Sequence, residues 1–478
     1  MPETTLETAP FTPPAPTAPI LRWVVAVAFF MQMLDGTILN TALPTMATDL
    51  GASPLRMQAA VIAYMLTAAL LIPVSGWLAE HFGIRRVFFL ALFLFSLGSF
   101  LCAASPSLDL LVLSRVVQGI GGALMVPVGR LAIIKAYSRK ELVQILSFIT
   151  IPGLIGPLIG PTAGGFLVQY ASWHWIFLIN LPVGVLGIWL AYRHMPNFAS
   201  SDREKFDGLG FLLFGSSMVL ITFSMEGLGE LQLPKIQVTL LCVTGLLLLG
   251  VYWLRSVRAP HPLFNPRIFR IRSFAVGILG NLFSRLGVGG IPFLLPLFLQ
   301  LGLGYSPFKA GMIMIPSAVA GIIGKSVITR LIRVLGFRRF LLLNTVIVGA
   351  LIAGFATVTI QTSMISLLLL LGVFGVFNSM QFTAMNSVTL IDLNNDQAGS
   401  GNSLLSVTMQ VAVTCGVAMA AALLSGFNDA AGNAKTDVIP LGVFHTTFLC
   451  VGAFTAASAL IFSQVPKNTG NCVEDKLS

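Results

Sequence analysis

An acid, Asp35, stands inside an apolar stretch that runs from Arg22 to Pro44 and holds no base after its first residue. The stretch is long enough to cross about 30 Å of hydrocarbon. A charged side chain at that depth is costly and marks a proton relay, an ion path or a ligand site. Two arginines lie at comparable depth in other apolar runs, Arg115 in SRVVQGIGG and Arg285 in NLFSRLGVGG. A carboxyl can take up and release a proton. A guanidinium in practice cannot, but it can pair with a carboxylate or hold an anion. Asp35 therefore has three readings: a group protonated and deprotonated in turn, a fixed ion-pair partner of an arginine such as Arg115, or a direct substrate contact.

Spacing places these groups on helix faces. Gln32, Asp35, Gly36 and Asn40 fall within an arc of about 140° on a helix. That polar stripe must face other helices rather than lipid. Arg115, Gly119 and Gly122 share a face, with Gln118 beside them, and the glycines admit a close neighbour. Arg285 is expected to face a central cavity, with Asn281 one turn before it. Asn378, Gln381 and Gln410 are further cavity candidates, together with Gln32, Asn40 and Gln118. The plainer reading of each is a helix–helix hydrogen bond, and for Arg285 a structural pair.

The elements that carry them are membrane helices. Of 478 residues, 56% are hydrophobic and 10% charged, whereas a soluble chain would have about 25% charged residues. The apolar runs are near 20 residues long, which excludes an outer-membrane barrel of ~10-residue alternating strands. Fourteen candidate spans can be placed, near 22–44, 58–80, 87–105, 109–134, 143–168, 174–192, 208–226, 237–254, 273–299, 308–329, 340–358, 364–390, 402–424 and 443–463. The net charge of +10 sorts by position. Basic residues gather in one set of alternate loops, from Arg85 and Arg86 to Arg338 and Arg339. The opposite loops hold only Arg56, Lys235, Lys309 and Lys435. The positive-inside rule then predicts cytoplasmic termini, and the basicity needs no nucleic acid partner. Residues 1–21, rich in Pro and Thr, read as a disordered cytoplasmic tail and not as a signal peptide. Residues 464–478 read as a second tail. The cysteines and the five histidines show no metal or redox spacing, so neither metal nor cofactor is expected.

The chain repeats itself. GWLAEHFGIRRVFFL, from Gly76 to Leu90, corresponds to TRLIRVLGFRRFLLL, from Thr329 to Leu343, at an offset of 253 residues. Each places Gly-x-Arg-Arg in a short turn: Gly83 permits the bend, and Arg85 and Arg86 hold it on the cytoplasmic side. Parallel six-span repeats are one way transporters are built. The expected organisation is an N-terminal bundle over 22–193, a linker with two inserted helices over 194–271, and a C-terminal bundle over 272–463. A further segment, from Gly153 through Gly156, Pro157, Gly160, Pro161 and Gly164, sets small residues at i, i+4 and i+8. That is a close-packing face, and its prolines loosen the helix. A hinge is the favoured reading; ordinary tolerance of Gly and Pro in membrane helices is the plain one.

Four segments in order carry a family resemblance: Leu34 to Pro44, Gly76 to Arg86, Arg115 to Gly122, and Gly153 to Gly165. Trp173 to Asn180 adds to it. Together they resemble the major facilitator superfamily in its fourteen-span drug:proton antiporter branch. One departure is Glu80, where the family loop usually has Asp. The resemblance implies an all-α polytopic fold of two six-helix bundles plus two inserted helices, in a bacterial inner (cytoplasmic) membrane. It implies proton coupling through Asp35 and Arg115, and gating through Gly76, Glu80, Gly83, Arg85, Arg86 and the fifth-span segment. The implied activity is antiport, exporting lipophilic or cationic drugs, not enzymatic catalysis. No Gly-x-x-x-x-Gly-Lys-Ser/Thr loop for ATP occurs, so an ion gradient is expected to supply the energy; the intramembrane acid favours protons, with sodium still open. The expected partners are a small-molecule substrate, protons and the bilayer; the branch allows a periplasmic adaptor, but no segment marks one. The deep charges, Asp35 against Arg115 and Arg285, also leave open an anionic or zwitterionic metabolite such as a siderophore or organic acid. Import, or lipid flipping on the same fold, is the remaining alternative.

Overall fold

The computed structural model describes residues 20–466 apart from 138, 197–205, 229–232, 260–261, 265, 394 and 433–438. Among the described residues the chain is helical throughout, with no strand. In a bilayer this is the simplest way to pair every backbone donor and acceptor within one segment. The long helices of the first half are α1 (Ile20–Ile38), α2 (Gln58–Phe82), α3 (Ile84–Ala103), α4 (Leu108–Ala136), α5 (Arg139–Tyr170) and α6 (Asn180–His194). A pair follows, α7 (Gly208–Leu228) and α8 (Lys235–Arg258). The second half holds α9 (Arg272–Val288), α10 (Pro307–Gly354), α11 (Met364–Leu390), α12 (Asn395–Ala430) and α13 (Leu441–Ala457).

Among the described residues, 12 helical segments are long and apolar enough to cross a membrane. The expected spans near 143–168 and 208–226 fall on α5 and α7, helices of 32 and 21 residues. The repeat motif is visible as geometry. Gly83 separates α2 from α3 at φ 91. Gly336 breaks α10 at φ 71 and ψ 157, so that α10 is two rods joined at a bend. Both combine positive φ with extended ψ, a region nearly closed to residues other than glycine, where a side chain costs about 1–3 kcal/mol. Serines mark helix starts: Ser107, Ser306 and Ser363 each accept a bond from the backbone N–H three residues on.

The apolar interior is rich in phenylalanine. Phe293, Phe298, Phe355, Phe444 and Phe448 are fully buried in one cluster that also takes in first-half residues such as Leu43, Trp173 and Phe177. Large apolar side chains such as Leu247, Val334 and Ile365 are exposed instead, as lipid contact requires.

The two halves meet at the end where α1 and α5 finish and α10 begins. Thr162 Oγ1 donates to the Gly311 carbonyl at 3.2 Å. Phe308 N donates to Gln169 Oε1 at 3.3 Å, and Gln300 Nε2 donates to the Thr41 carbonyl at 2.9 Å. α5 is the shared element. Its Gly156, Gly160 and Gly164 lie on the α1 backbone and on Thr37 and Thr41, while Gly165 lies on Pro307 and Pro161 on Gly311. Larger residues at those glycines would hold the helices apart. α2 packs along α12 as a second contact between halves.

The α7–α8 pair packs on itself and lays α7 against α12. Its base is pinned by Asp207, which pairs with Arg255 Nη1 at 2.7 Å and accepts from Gly210 N at 2.9 Å and Leu263 N at 3.2 Å. Tyr252 and Ser256 hold the backbone of Phe264 from the other side.

Candidate functional site

Asp35 and Arg115 form an ion pair, Nη1 to Oδ2 at 2.7 Å, with each residue only 1% exposed. The pair sits where α1 faces α4, and a network of side-chain hydrogen bonds surrounds it. The same Nη1 donates to Gln118 Oε1 at 2.7 Å, and Nε donates to the Ala60 carbonyl at 3.2 Å. Gln118 Nε2 donates to Asp35 Oδ1 and to Ser99 Oγ, both at 2.8 Å. Asn180 Nδ2 reaches Asp35 Oδ1 at 3.4 Å and Ser99 Oγ at 3.3 Å. The guanidinium lies over the Tyr64 ring at 4.3 Å. Five helices, α1, α2, α3, α4 and α6, thus converge on one charge pair.

Small residues make that convergence geometrically feasible. Gly119 and Gly122 of α4 lie against Thr67 and Tyr64 of α2, and Gly98 of α3 lies against Gln118. A buried pair is held by its hydrogen bonds; removing one partner leaves an uncompensated charge at a cost of about 3–5 kcal/mol. In chemical terms the cluster can hold a proton on Asp35 only by giving up the charge that Arg115 is paired with.

A separate cavity of about 410 Å³ lies between the halves. α1 contributes Thr37, the 3-10 turn after it (Leu39–Thr41) contributes Asn40, and α5 contributes Pro161. α9 and the short helix after it contribute Ser284, Arg285, Val288 and Leu295. α10 and α11 contribute Ser317, Phe374, Asn378, Gln381 and Phe382. Apolar surface dominates, with a few polar groups at fixed points, as is usual for small-molecule sites.

The expected site residues divide between these two places. Asn40, Arg285, Asn378 and Gln381 line the cavity. Gln118, expected there, belongs to the ion-pair network and is fully buried. Asn281 stands behind the cavity wall: it accepts from Arg285 Nε at 3.1 Å and donates to Thr389 Oγ1 at 3.2 Å. Gln32 and Gln410 are half-buried and are not among the cavity's lining. Gln381, though at the wall, also ties α11 to α10, accepting from Asn344 at 2.7 Å and donating to Thr345 Oγ1 at 2.6 Å. Helical periodicity names a face, but not the depth at which neighbouring helices close over it, and that depth separates the two groups.

The turn residues also separate. Gly83 is at the bend, and Arg85 lies over the Tyr192 ring at 4.7 Å. Arg86 and Gly76 are exposed, and Glu80 is half-buried with no ion pair to a described residue. Gly156, Gly160, Pro161 and Gly164 occupy the α1- and α10-facing sides of α5; the side chain of Pro157 lies outside the described residues. Sequence reasoning missed Ser99, Tyr64 and Phe382. Ser99 and Tyr64 sit in apolar runs where one hydroxyl is unremarkable. Asn180 stood within a recognised segment, and its position at a helix start was the available signal.

Comparison with known proteins agrees with this architecture. A family model described as Major Facilitator Superfamily matches residues 25–417. The chain is 44% identical over 450 residues to a protein of Pectobacterium carotovorum named "Putative multidrug resistance protein MdtD", covering 94% of this chain and 96% of that one. The protein of the same name from Yersinia enterocolitica is 44% identical over 450 residues, at 94% and 95% coverage. Among solved structures, a D-xylose–proton symporter superposes with TM-score 0.66 at 14% identity, covering 94% of this chain and 98% of that one. A peptide transporter crystallised with sulfate gives 0.67 at 14% identity, covering 94% and 96%; at such identity these two speak for the fold alone. The match across most of the chain, the helical architecture and the cavity between two halves lead to one conclusion: the chain belongs to the Major Facilitator Superfamily and is a membrane transporter rather than an enzyme.

Proposed function

We propose that this protein is a proton-coupled secondary active exporter of small molecules, acting in multidrug efflux by rocker-switch alternating access. In this reading it spans the bacterial inner membrane fourteen times with both termini in the cytoplasm. Residues 22–193 and 272–463 are the two rocking bundles, 194–271 is a linker carrying α7 and α8, and 1–21 and 464–478 are cytoplasmic tails. The end joined by Thr41, Thr162 and Gly311 then faces outward. The names of the curated relatives support the multidrug reading.

The observation that carries it is the position of the Asp35–Arg115 pair on the helix that also lines the cavity. Asp35 is two residues from Thr37 on α1 and five from Asn40 in the turn that follows it, and both of those line the cavity. A proton reaching Asp35 cancels its charge and leaves Arg115 without a counter-ion, so the α1–α4 contact weakens. α1 is held to α5 through Gly160 and Gly164, and α5 closes the outer end against α10. Motion of α1 is thereby coupled to both the cavity and the gate. Gly76, Glu80, Gly83, Arg85 and Arg86 would form the cytoplasmic counterpart of that gate.

The test is an efflux screen of drugs and metabolites in vesicles with an imposed pH gradient, comparing the parent with Asp35→Asn. Export that depends on the gradient and is lost in the variant supports the reading. Undiminished export by Asp35→Asn refutes the proton role. Uptake that rises with an inward proton gradient reverses the direction and makes the protein an importer.

A further inference from the structure

The cavity has one property that multidrug efflux does not explain. Among the described residues its wall carries a base, Arg285, and no Asp or Glu. Asp35 cannot balance that charge, because it is consumed by Arg115. Arg285 makes no ion pair with any described residue. A guanidinium at membrane depth without a counter-ion is costly, so the wall is electrically incomplete as it stands.

The guanidinium is also held in a fixed pose. Nε donates to Asn281 Oδ1 at 3.1 Å, and Asn281 is itself anchored to the Gly277 carbonyl at 3.0 Å and to Thr389. The plane lies over the Phe382 ring at 4.3 Å. These contacts occupy Nε and one face, and leave Nη2 with no hydrogen-bond partner. The adjoining Ser284 is buried, lines the same wall, and its Oγ likewise has no partner. Two unused donors on successive residues beside one cavity match the two oxygens of an oxyacid. The plainer account, a guanidinium satisfied by stacking alone, covers the face of Arg285 but neither Nη2 nor Ser284.

The rest of the wall sets the body of the ligand. Val288, Leu295, Phe374 and Phe382 present apolar surface. A volume of about 410 Å³ suits a small organic molecule and is too small for a two-chain lipid. We infer that the cavity binds an amphiphilic organic monoanion, its carboxylate, sulfonate or phosphate against Arg285 and Ser284 and its apolar body against Phe374 and Phe382. This rests on the exporter reading only for its transport consequence; binding at the site does not depend on it.

The test uses one body with three charges: 2-naphthoate, its neutral methyl ketone analogue and naphthyltrimethylammonium. Binding is measured calorimetrically to the full-length protein in phosphatidylcholine nanodiscs. Naphthoate binds saturably and the ammonium does not. Arg285→Gln weakens naphthoate by about tenfold or more, the value of a charge-assisted bond, and leaves the neutral analogue within a few-fold. Ser284→Ala, a milder change, weakens naphthoate by a smaller factor, and Arg285→Lys restores part of the loss. Unfolding of Arg285→Gln is checked by thermal melting, and Ser284→Ala carries the test where that variant melts early. Preference for the ammonium over naphthoate overturns the inference, as does naphthoate affinity indifferent to both substitutions. Export is read separately in pH-gradient vesicles. Naphthoate that binds but is never moved would refute the exporter reading and leave the anion site standing.

Discussion

In the proposed orientation, Gly311→Val should open the outer end of the transporter. Gly311 lies on the carbonyl of Pro161 across the interface between halves, and a Cβ there would fall on that backbone oxygen. Gly165 lies on Pro307 in the same way. Because the obstacle is backbone and not the tip of a flexible side chain, overpacking costs about 1–3 kcal/mol. That cost exists only while α5 and α10 touch; it vanishes once the halves swing apart. The ratio of outward-open to outward-closed molecules therefore rises by about 5- to 150-fold. Thr41 reports it, being wholly buried at this end, with its backbone carbonyl bonded to Gln300. In a background without native cysteines, Thr41→Cys is labelled from outside by a membrane-impermeant maleimide. The labelling rate should rise by that factor in Gly311→Val, and by less in Gly311→Ala. Gly372→Val is the control, since nothing lies within 4 Å of a Cβ built at Gly372. Unchanged or slower labelling of folded Gly311→Val would refute the reasoning, because it would mean that the contact does not hold the gate.

Other substitutions test the supporting structure. Gln118→Leu removes donors from Asp35 and Ser99 without changing size much; thermal unfolding in nanodiscs should show a loss of about 1–3 kcal/mol. A melting curve like the parent's would mean that water replaces the amide. Gly83→Ala forces a side chain into φ 91 with ψ 138 and should cost about 1–3 kcal/mol, with Gly336→Ala behaving alike in the second half; a stabilised Gly83→Ala would contradict the bend. Asp207→Asn breaks the pair with a partly exposed Arg255 and weakens a helix cap. About 1–2 kcal/mol of stability should go, while export stays intact because α7 and α8 lie outside the cavity; lost export would give the inserted pair a part in transport.

Much of this architecture could be read from residue order. The apolar runs announced helices, and the Gly-x-Arg-Arg repeat marked two bends that the backbone realises at Gly83 and Gly336. The Asp35–Arg115 pair was one of three readings open for the acid, and it is the contact present. The membership of each polar cluster was less legible. Gln118 and Asn40 both lie on faces turned to the bundle, yet one is sealed with Asp35 and the other borders the cavity. Asn281 and Arg285 are one turn apart on α9, and only Arg285 reaches the open space.

Hydrophobic run length, charge asymmetry and glycine placement are properties of short segments, because the bilayer acts on each segment directly through desolvation. They were enough to define a polytopic helical chain, its internal duplication and its few deep charges. Which charges neutralise one another depends on distances between helices up to hundreds of residues apart in the chain, and those distances follow from packing. The fold alone decided that Asp35 is balanced by Arg115 and that Arg285 faces an apolar cavity with a donor to spare.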